Sequence, residues 1–245
     1  MQSDALILVA GGLSVVAASF LGGVTGFGYS LVATPLLLLL GFSLPFVVTV
    51  NLALACITRM SVAYRFRSDL KARRAAGLIA GSVPGLWLGV TVLTTVEEST
   101  IKVCAGLVVM VAAVLLWRAA SAPPPRPLPG APVAAGFAGG FLGAATSLNG
   151  VAPVLLLARD KAAPRSVLAD LALYFVVSNA IGLAILLADG ALETDALPAF
   201  LLWLPGSLAA NWAGTALGPR LPEDHFRRLT LAIVFVAGAV TAITA

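Results

Sequence analysis

Two halves of this 245-residue chain repeat one another. Phe20-Leu21-Gly22 opens the run FLGGVTGFGYSLVATPLLLLL, and Phe141-Leu142-Gly143 opens FLGAATSLNGVAPVLLLA. Thr25 falls on Thr146, and Pro35 falls near Pro153. Further on, FVVTVN ending at Asn51 echoes FVVSN ending at Asn179, and Gly81-Ser82 with Trp87 and Gly89 echoes Gly206-Ser207 with Trp212 and Gly214. The spacing between matched residues drifts by a few positions, so small insertions separate the copies. An apolar chain with an internal repeat and glycine-broken helices is the usual sequence signature of a secondary transporter.

Charged residues make up only 11% of the chain and hydrophobic ones 60%, where a soluble domain carries about 25% charged. The chain is therefore a polytopic membrane protein. In lipid only helices or a closed barrel satisfy the backbone. The apolar runs are long and lack two-residue alternation, which selects an all-α protein over a barrel. The net charge of +4 is no sign of nucleic-acid binding, because the basic residues sit in short loops between apolar runs. Cys56 and Cys104 lie far apart inside apolar segments and read as small buried residues. Met1 to Ala10 has no Lys or Arg before the apolar run, a poor signal peptide and a plausible first helix.

Apolar spans fall at 5–24, 26–41, 44–64, 75–95, 101–118, 131–148, 150–158, 166–188, 196–217 and 228–244. The segments 26–41 and 150–158 are too short to cross a hydrocarbon core of ~30 Å and read as half-helices or re-entrant pieces. Whether 5–24 and 131–148 cross fully or turn back is open. The expected architecture is about eight transmembrane helices plus short half-helices. Residues 1–120 form a first membrane repeat, 121–132 a proline-rich linker, and 133–245 a second repeat. Arg65, Arg67, Lys71, Arg73 and Arg74 share one loop, Arg118 and Arg126 the linker, Arg159, Lys161 and Arg165 another loop, and Arg220, Arg227 and Arg228 a fourth. The opposite loops hold Glu97, Glu98, Asp189, Glu193 and Asp195 with Lys102. Positive loops stay inside, so both termini are predicted to be non-cytoplasmic and the repeats to be inverted.

The chemistry concentrates at the interruptions. Thr25-Gly26-Phe27-Gly28-Tyr29-Ser30 breaks the first copy, and Thr146-Ser147-Leu148-Asn149-Gly150 the second. A helix restarting after each break has free N–H donors and a partial positive charge, which suits an anion; alternatively the glycines serve only close helix packing. Asn51 and Asn179 lie inside apolar helices, where an amide either reaches a ligand or pins a neighbouring broken helix. Arg59, a little over two turns past Asn51, either supplies positive charge or snorkels to the surface. Asp170 near its helix start either complements the helix dipole or carries a proton, with Arg165 or Arg59 as partner. Trp87 and Trp212 either anchor at the interface or line a pocket, and Asn211 could reach the same cavity. A Ser82–His225 dyad is conceivable, but His225 lies in a charged loop. No Cys/His cluster has metal-ligand spacing, and no Walker loop or GxSxG elbow is present.

The GFG break followed by Pro35 and a leucine run, its weaker copy near Asn149-Gly150, and the blocks GSVPGLWLG and GSLAANWAGTALG, read as helix-terminating, together resemble the sulfite exporter TauE/SafE family, also called the toluenesulfonate uptake permease family. Tyr29 and Ser30 after Gly28, and Asn149 where a glycine is common, depart from that family's glycine-rich pattern. The resemblance implies a multi-pass transporter of the bacterial inner (plasma) membrane, not an enzyme. It would move sulfite or organosulfonate anions without cofactor or metal, with a small anion and membrane lipid as partners, no nucleic acid, and a homo-oligomer left open. The reading is alternating-access export, with an anion channel or a proton-coupled uptake permease as alternatives. Thr25, Gly26, Phe27, Gly28, Tyr29, Asn51, Arg59, Thr146, Ser147, Asn149, Gly150 and Asn179 are the expected substrate-binding residues, and Asp170 the coupling candidate.

Overall fold

The computed structural model describes residues 2–119, 129–160 and 162–218, with residues 235, 236 and 239 beyond them. The greater part of the linker, most of the span expected at 228–244, and His225 lie outside the described residues. Among those described are nine α-helices: α1 (Gln2–Thr25), α2 (Gly28–Leu39), α3 (Leu44–Arg65), α4 (Ala72–Thr95), α5 (Glu98–Ala119), α6 (Ala131–Thr146), α7 (Val151–Arg159), α8 (Pro164–Ala188) and α9 (Ala196–Leu217). A single 3-10 turn, Arg67–Asp69, follows α3. Helix α6 starts at Ala131, so the last two residues of the expected linker belong to it.

Five of these, α1, α3, α4, α5 and α8, are long and apolar enough to cross a membrane. The two segments expected to be short are short: α2 has 12 residues and α7 nine, about 18 and 14 Å at 1.5 Å per residue. Each folds back on the helix before it. A Cβ built on Gly11 of α1 would touch the Phe42 ring just beyond α2, and one on Gly139 of α6 would touch Pro153 of α7. The breaks therefore lie inside the bundle as the tips of helical hairpins.

Helix α4 packs on α6, α1 on α9, and α3 on α8; α4 also meets α8, and α9 meets α3. Exchange α1 for α6, α2 for α7, α3 for α8 and α4 for α9, and α4–α6 maps onto α1–α9, α4–α8 onto α3–α9, and α3–α8 onto itself. Of the two blocks expected to end helices, GSLAANWAGTALG runs to the end of α9, whose C-cap is Gly218, whereas GSVPGLWLG lies inside α4. In α4 Gly81, Gly85 and Gly89 recur at every fourth residue and press backbone against backbone. A Cβ on Gly81 or Gly136 would overlap the carbonyl of Val133 or Leu78 across the α4–α6 contact. Gly23 and Gly214 do the same across α1–α9, against Asn211 O and Phe20 O. Without a hydrophobic drive between helices in lipid, such close approach is what holds them. Pro84 and Pro205 are tolerated inside these helices because neighbouring helices and local adjustments absorb the lost backbone bond.

Charge segregates to the two ends. At one end Arg165 Nε lies 3.2 Å from Asp69, and Asp170 meets Arg74. At the other, Glu98 Oε1 accepts the Leu44 amide at 2.8 Å and pairs with Lys102, while Thr49 Oγ1 accepts the Glu193 amide at 3.3 Å. Trp87 and Trp212 are 64% and 68% exposed, so they stand on the outer surface and line no pocket. Cys104 is exposed on α5 rather than buried, and Cys56 is half-buried with its thiol toward Val176 O at 3.5 Å.

Candidate functional site

The two hairpin tips share a backbone plan. Gly26 has φ +85° and its N–H bonds to Gly22 O at 2.8 Å. Ser147, its counterpart, has φ 67° and bonds to Gly143 O at 2.9 Å. A left-handed residue ends each helix, a glycine at one tip and, at strain, a serine at the other. Thr25 and Thr146 also match: each hydroxyl donates to the carbonyl four residues back, Leu21 at 2.8 Å and Leu142 at 2.7 Å.

From there the copies diverge. Thr25 Oγ1 also accepts the Gly28 amide at 2.9 Å and the Phe27 amide at 3.4 Å, so it caps α2. Tyr29 donates its hydroxyl proton to Asn51 Oδ1 at 2.8 Å, and Asn51 Nδ2 donates to Thr34 Oγ1 at 3.2 Å. Asn51 thus pins α2 onto α3 from within a fully buried position. In the second copy Thr146 caps nothing. Asn149 donates its side-chain amide to Asn179 Oδ1, and the Tyr174 hydroxyl donates to Asn149 O at 3.2 Å. Asn179 Nδ2, Ser147 Oγ and Ser178 Oγ are buried with no partner among the described residues. Buried polar atoms are rarely left so.

The tips meet. A Cβ on Gly150 would stand 3.7 Å from Phe27 O and 3.1 Å from Phe175 Cζ. Beside them lies Arg59, only 3% exposed, so its side chain does not snorkel. Its Nη2 lies 2.7 Å from where a Cβ on Gly22 would be, and its guanidinium carbon 5.9 Å from the centre of the Phe175 ring. Among the described residues no carboxylate pairs with it and no hydrogen bond reaches it. An uncompensated cation in a membrane interior is costly. At the start of α7 the Val151 amide goes to Leu148 O at 3.4 Å, the Val154 amide to Gly150 O at 3.0 Å, and Pro153 has none, which leaves the Ala152 amide without an acceptor inside the helix. The arrangement is chemically fitted to hold an anion.

Asp170 is placed otherwise than expected. It is fully buried, and its partners are the Lys71 amide at 2.8 Å and Arg74 Nε at 2.6 Å, not Arg165 or Arg59. It caps the start of α4 from α8. Asn211 is buried and donates to Thr58 O at 3.2 Å, holding α9 to α3 next to Arg59. Ser82 bonds its own helix at Ile79 O, and its imagined partner His225 lies outside the described residues. Sequence reasoning passed over Phe175, Tyr174 and Ser178. Part of their signal was present in FVVSN, whose Phe175 and Asn179 stand four residues apart on one helix face, but an apolar ring in an apolar helix carries no mark of its own.

Fold and site together define a polytopic helical membrane protein built around a buried, positively charged polar centre, in the class of transporters. The family model for the sulfite exporter TauE/SafE matches residues 11–241. The chain belongs to that family of membrane transporters. No curated protein and no solved structure matches it.

Proposed function

We propose that this chain is a secondary transporter that exports a small sulfur oxyanion, sulfite or a short organosulfonate, across the inner membrane by alternating access. The observation that carries the proposal is the meeting of the two hairpin tips beside Arg59, a buried cation with no carboxylate partner among the described residues. The anion lies against the Arg59 guanidinium and takes the amide hydrogen of Ala152 at the start of α7. Asn179 Nδ2 and Ser147 Oγ complete its oxygen shell. Thr25, Asn51 and Tyr29 act one step back, by fixing the shape of the first tip; Gly26, Phe27, Gly28, Thr146 and Asn149 build the walls.

The exchange symmetry of the packed helix pairs supports two inverted repeats, which rock against one another around this centre. The basic end is cytoplasmic on this reading, because positive loops are retained inside. An inside-negative potential drives a monoanion outward by about 2.3 kcal/mol per 100 mV, so export needs no coupling ion. Asp170, held by Arg74 and the Lys71 amide, serves the packing of α8 on α4 rather than proton transfer.

The test is sulfite flux in proteoliposomes. Saturable flux with counterflow is expected. Asn179→Ala should raise KM about tenfold, the loss of one charge-assisted hydrogen bond to the anion, with a moderate fall in melting temperature because the Asn149 side chain loses its one acceptor. Asn51→Ala should lower the melting temperature too but leave the KM of the folded fraction within about twofold, since its bonds are internal. Flux without saturation or counterflow would make the protein a channel. Unchanged flux in Asn179→Ala would remove that residue from the site.

A further inference from the structure

The two copies treat the space beside the tips differently. Counting from the tip, Gly150 of the second copy stands where Tyr29 stands in the first. Tyr29 fills its own space and is tied to Asn51. Gly150 leaves a space that a residue from another helix fills: the Phe175 ring, whose Cζ lies 3.1 Å from where a Cβ would be. The matching aromatic of the first copy, Phe46, is turned away. It stacks on Phe42 at 4.7 Å and meets Trp203 edge-on at 6.1 Å. One ring alone therefore enters the centre.

Among the described residues that ring is also the one aromatic face set over the Arg59 guanidinium. The guanidinium carbon stands 5.9 Å from the ring centre, within the range of a cation–π contact. Phe175 is 4% exposed and tied to nothing polar. It rests at a tilt on Tyr174, ring centres 5.4 Å apart, whereas Tyr174 itself is fixed by its bond to Asn149 O. A ring held by dispersion and one cation–π contact, with no hydrogen bond, changes rotamer more readily than its hydrogen-bonded neighbour.

We propose that Phe175 is the size-selecting gate of the anion site. In the empty carrier its π face occupies the guanidinium and its bulk covers Gly150. An incoming sulfur oxyanion displaces the ring from the cation, and the volume the ring retains limits the organic group that the anion carries. Phe175 is thus a specificity residue, and Gly150 is glycine because the ring needs the room. This inference rests on the anion-transport reading above.

The test measures uptake of sulfite, methanesulfonate and butanesulfonate by proteoliposomes holding wild type, Phe175→Ala or Phe175→Leu. In Phe175→Ala the ratio of butanesulfonate to sulfite uptake is expected to rise about tenfold, as a pocket gains room for several methylenes. Phe175→Leu keeps most of the bulk and loses the π face. Its ratio should stay near that of wild type, while its KM for sulfite falls about two- to fivefold, because the anion no longer competes with a cation–π contact. An unchanged ratio in Phe175→Ala, or a raised sulfite KM in a well-folded Phe175→Leu, overturns the gate while leaving anion transport standing. Wild type that moves none of the three anions overturns the transport reading and the gate with it. Leu replacing Phe inside α8 keeps the helix apolar, so the second variant carries the test if the alanine variant fails to fold.

Discussion

Replacing Arg59 by leucine should make the protein more stable and leave it unable to transport. The residue lies six positions before the end of α3 at Arg65, about 9 Å along the helix axis, and is 3% exposed. A central arginine costs roughly 2.5–3.5 kcal/mol on insertion scales. The Phe175 ring returns about 0.5–2 kcal/mol of that, and no carboxylate among the described residues returns more. Leucine removes the net cost and adds apolar contact, so Arg59→Leu is expected to gain about 1–2 kcal/mol. At roughly 2–4 °C per kcal/mol for a chain of this length, the melting temperature in detergent should rise by about 2–8 °C. Transport responds in the opposite sense. A guanidinium about 4 Å from a monoanion at an effective dielectric of 20 supplies about 4 kcal/mol, three orders of magnitude in affinity, and sulfite flux should vanish. Arg59→Lys keeps the charge without the planar fork and should retain a small, saturable flux. Thermal melts followed by tryptophan fluorescence, paired with flux assays on the same preparations, decide the matter. An Arg59→Leu protein that melts well below wild type would mean the guanidinium holds the fold together. One that transports normally would mean no anion visits it.

Three further outcomes follow from the same coordinates. Asp170→Ala leaves Arg74 and the Lys71 amide without their carboxylate, and since Arg74 is 21% exposed the loss should be about 2–4 kcal/mol, read as a lower melting temperature. Gly136→Ala drives a methyl into the Leu78 carbonyl, which must push α6 off α4; a loss of about 1–3 kcal/mol is expected by thermal melt. Ser147→Gly relieves a left-handed serine whose hydroxyl is buried without a partner, and should raise the melting temperature by the equivalent of about 1 kcal/mol while weakening sulfite binding.

Helix positions were legible because lipid imposes a length and a polarity on each span. The expected half-helices at 26–41 and 150–158 appear as Gly28–Leu39 and Val151–Arg159. The GSVPGLWLG block misled, since Gly and Pro can lie inside a membrane helix as well as end one. Inside α4 and α9 they mark contact faces, which only the partner helix reveals. Candidate polar residues were legible as a set, for a buried amide or guanidinium in an apolar run stands out. Their division of labour was not. Nothing in the sequence says that Asn51 spends both ends of its amide on Tyr29 and Thr34 while Asn179 keeps its nitrogen free. Asp170 likewise looked like a neighbour of Arg165, one turn away, and instead reaches Arg74 from another helix.

That division is itself informative about how a repeat becomes a site. If both copies were equally open, two weak centres would share one cavity; if both were locked, no donor would remain for a ligand. Here the first tip is saturated by Thr25, Tyr29, Asn51 and Thr34, and becomes a rigid wall. The second keeps its strained Ser147, its free Asn179 nitrogen and, at Gly150, a position filled only by the Phe175 ring from another helix, and so retains donors. Arg59 comes from the locked copy, and Phe175, which faces it, from the open one. On the alternating-access reading proposed above, a site that draws its charge from one repeat and its donors from the other is assembled only when the two repeats are docked, and relative motion between them separates cation from donors and releases the anion.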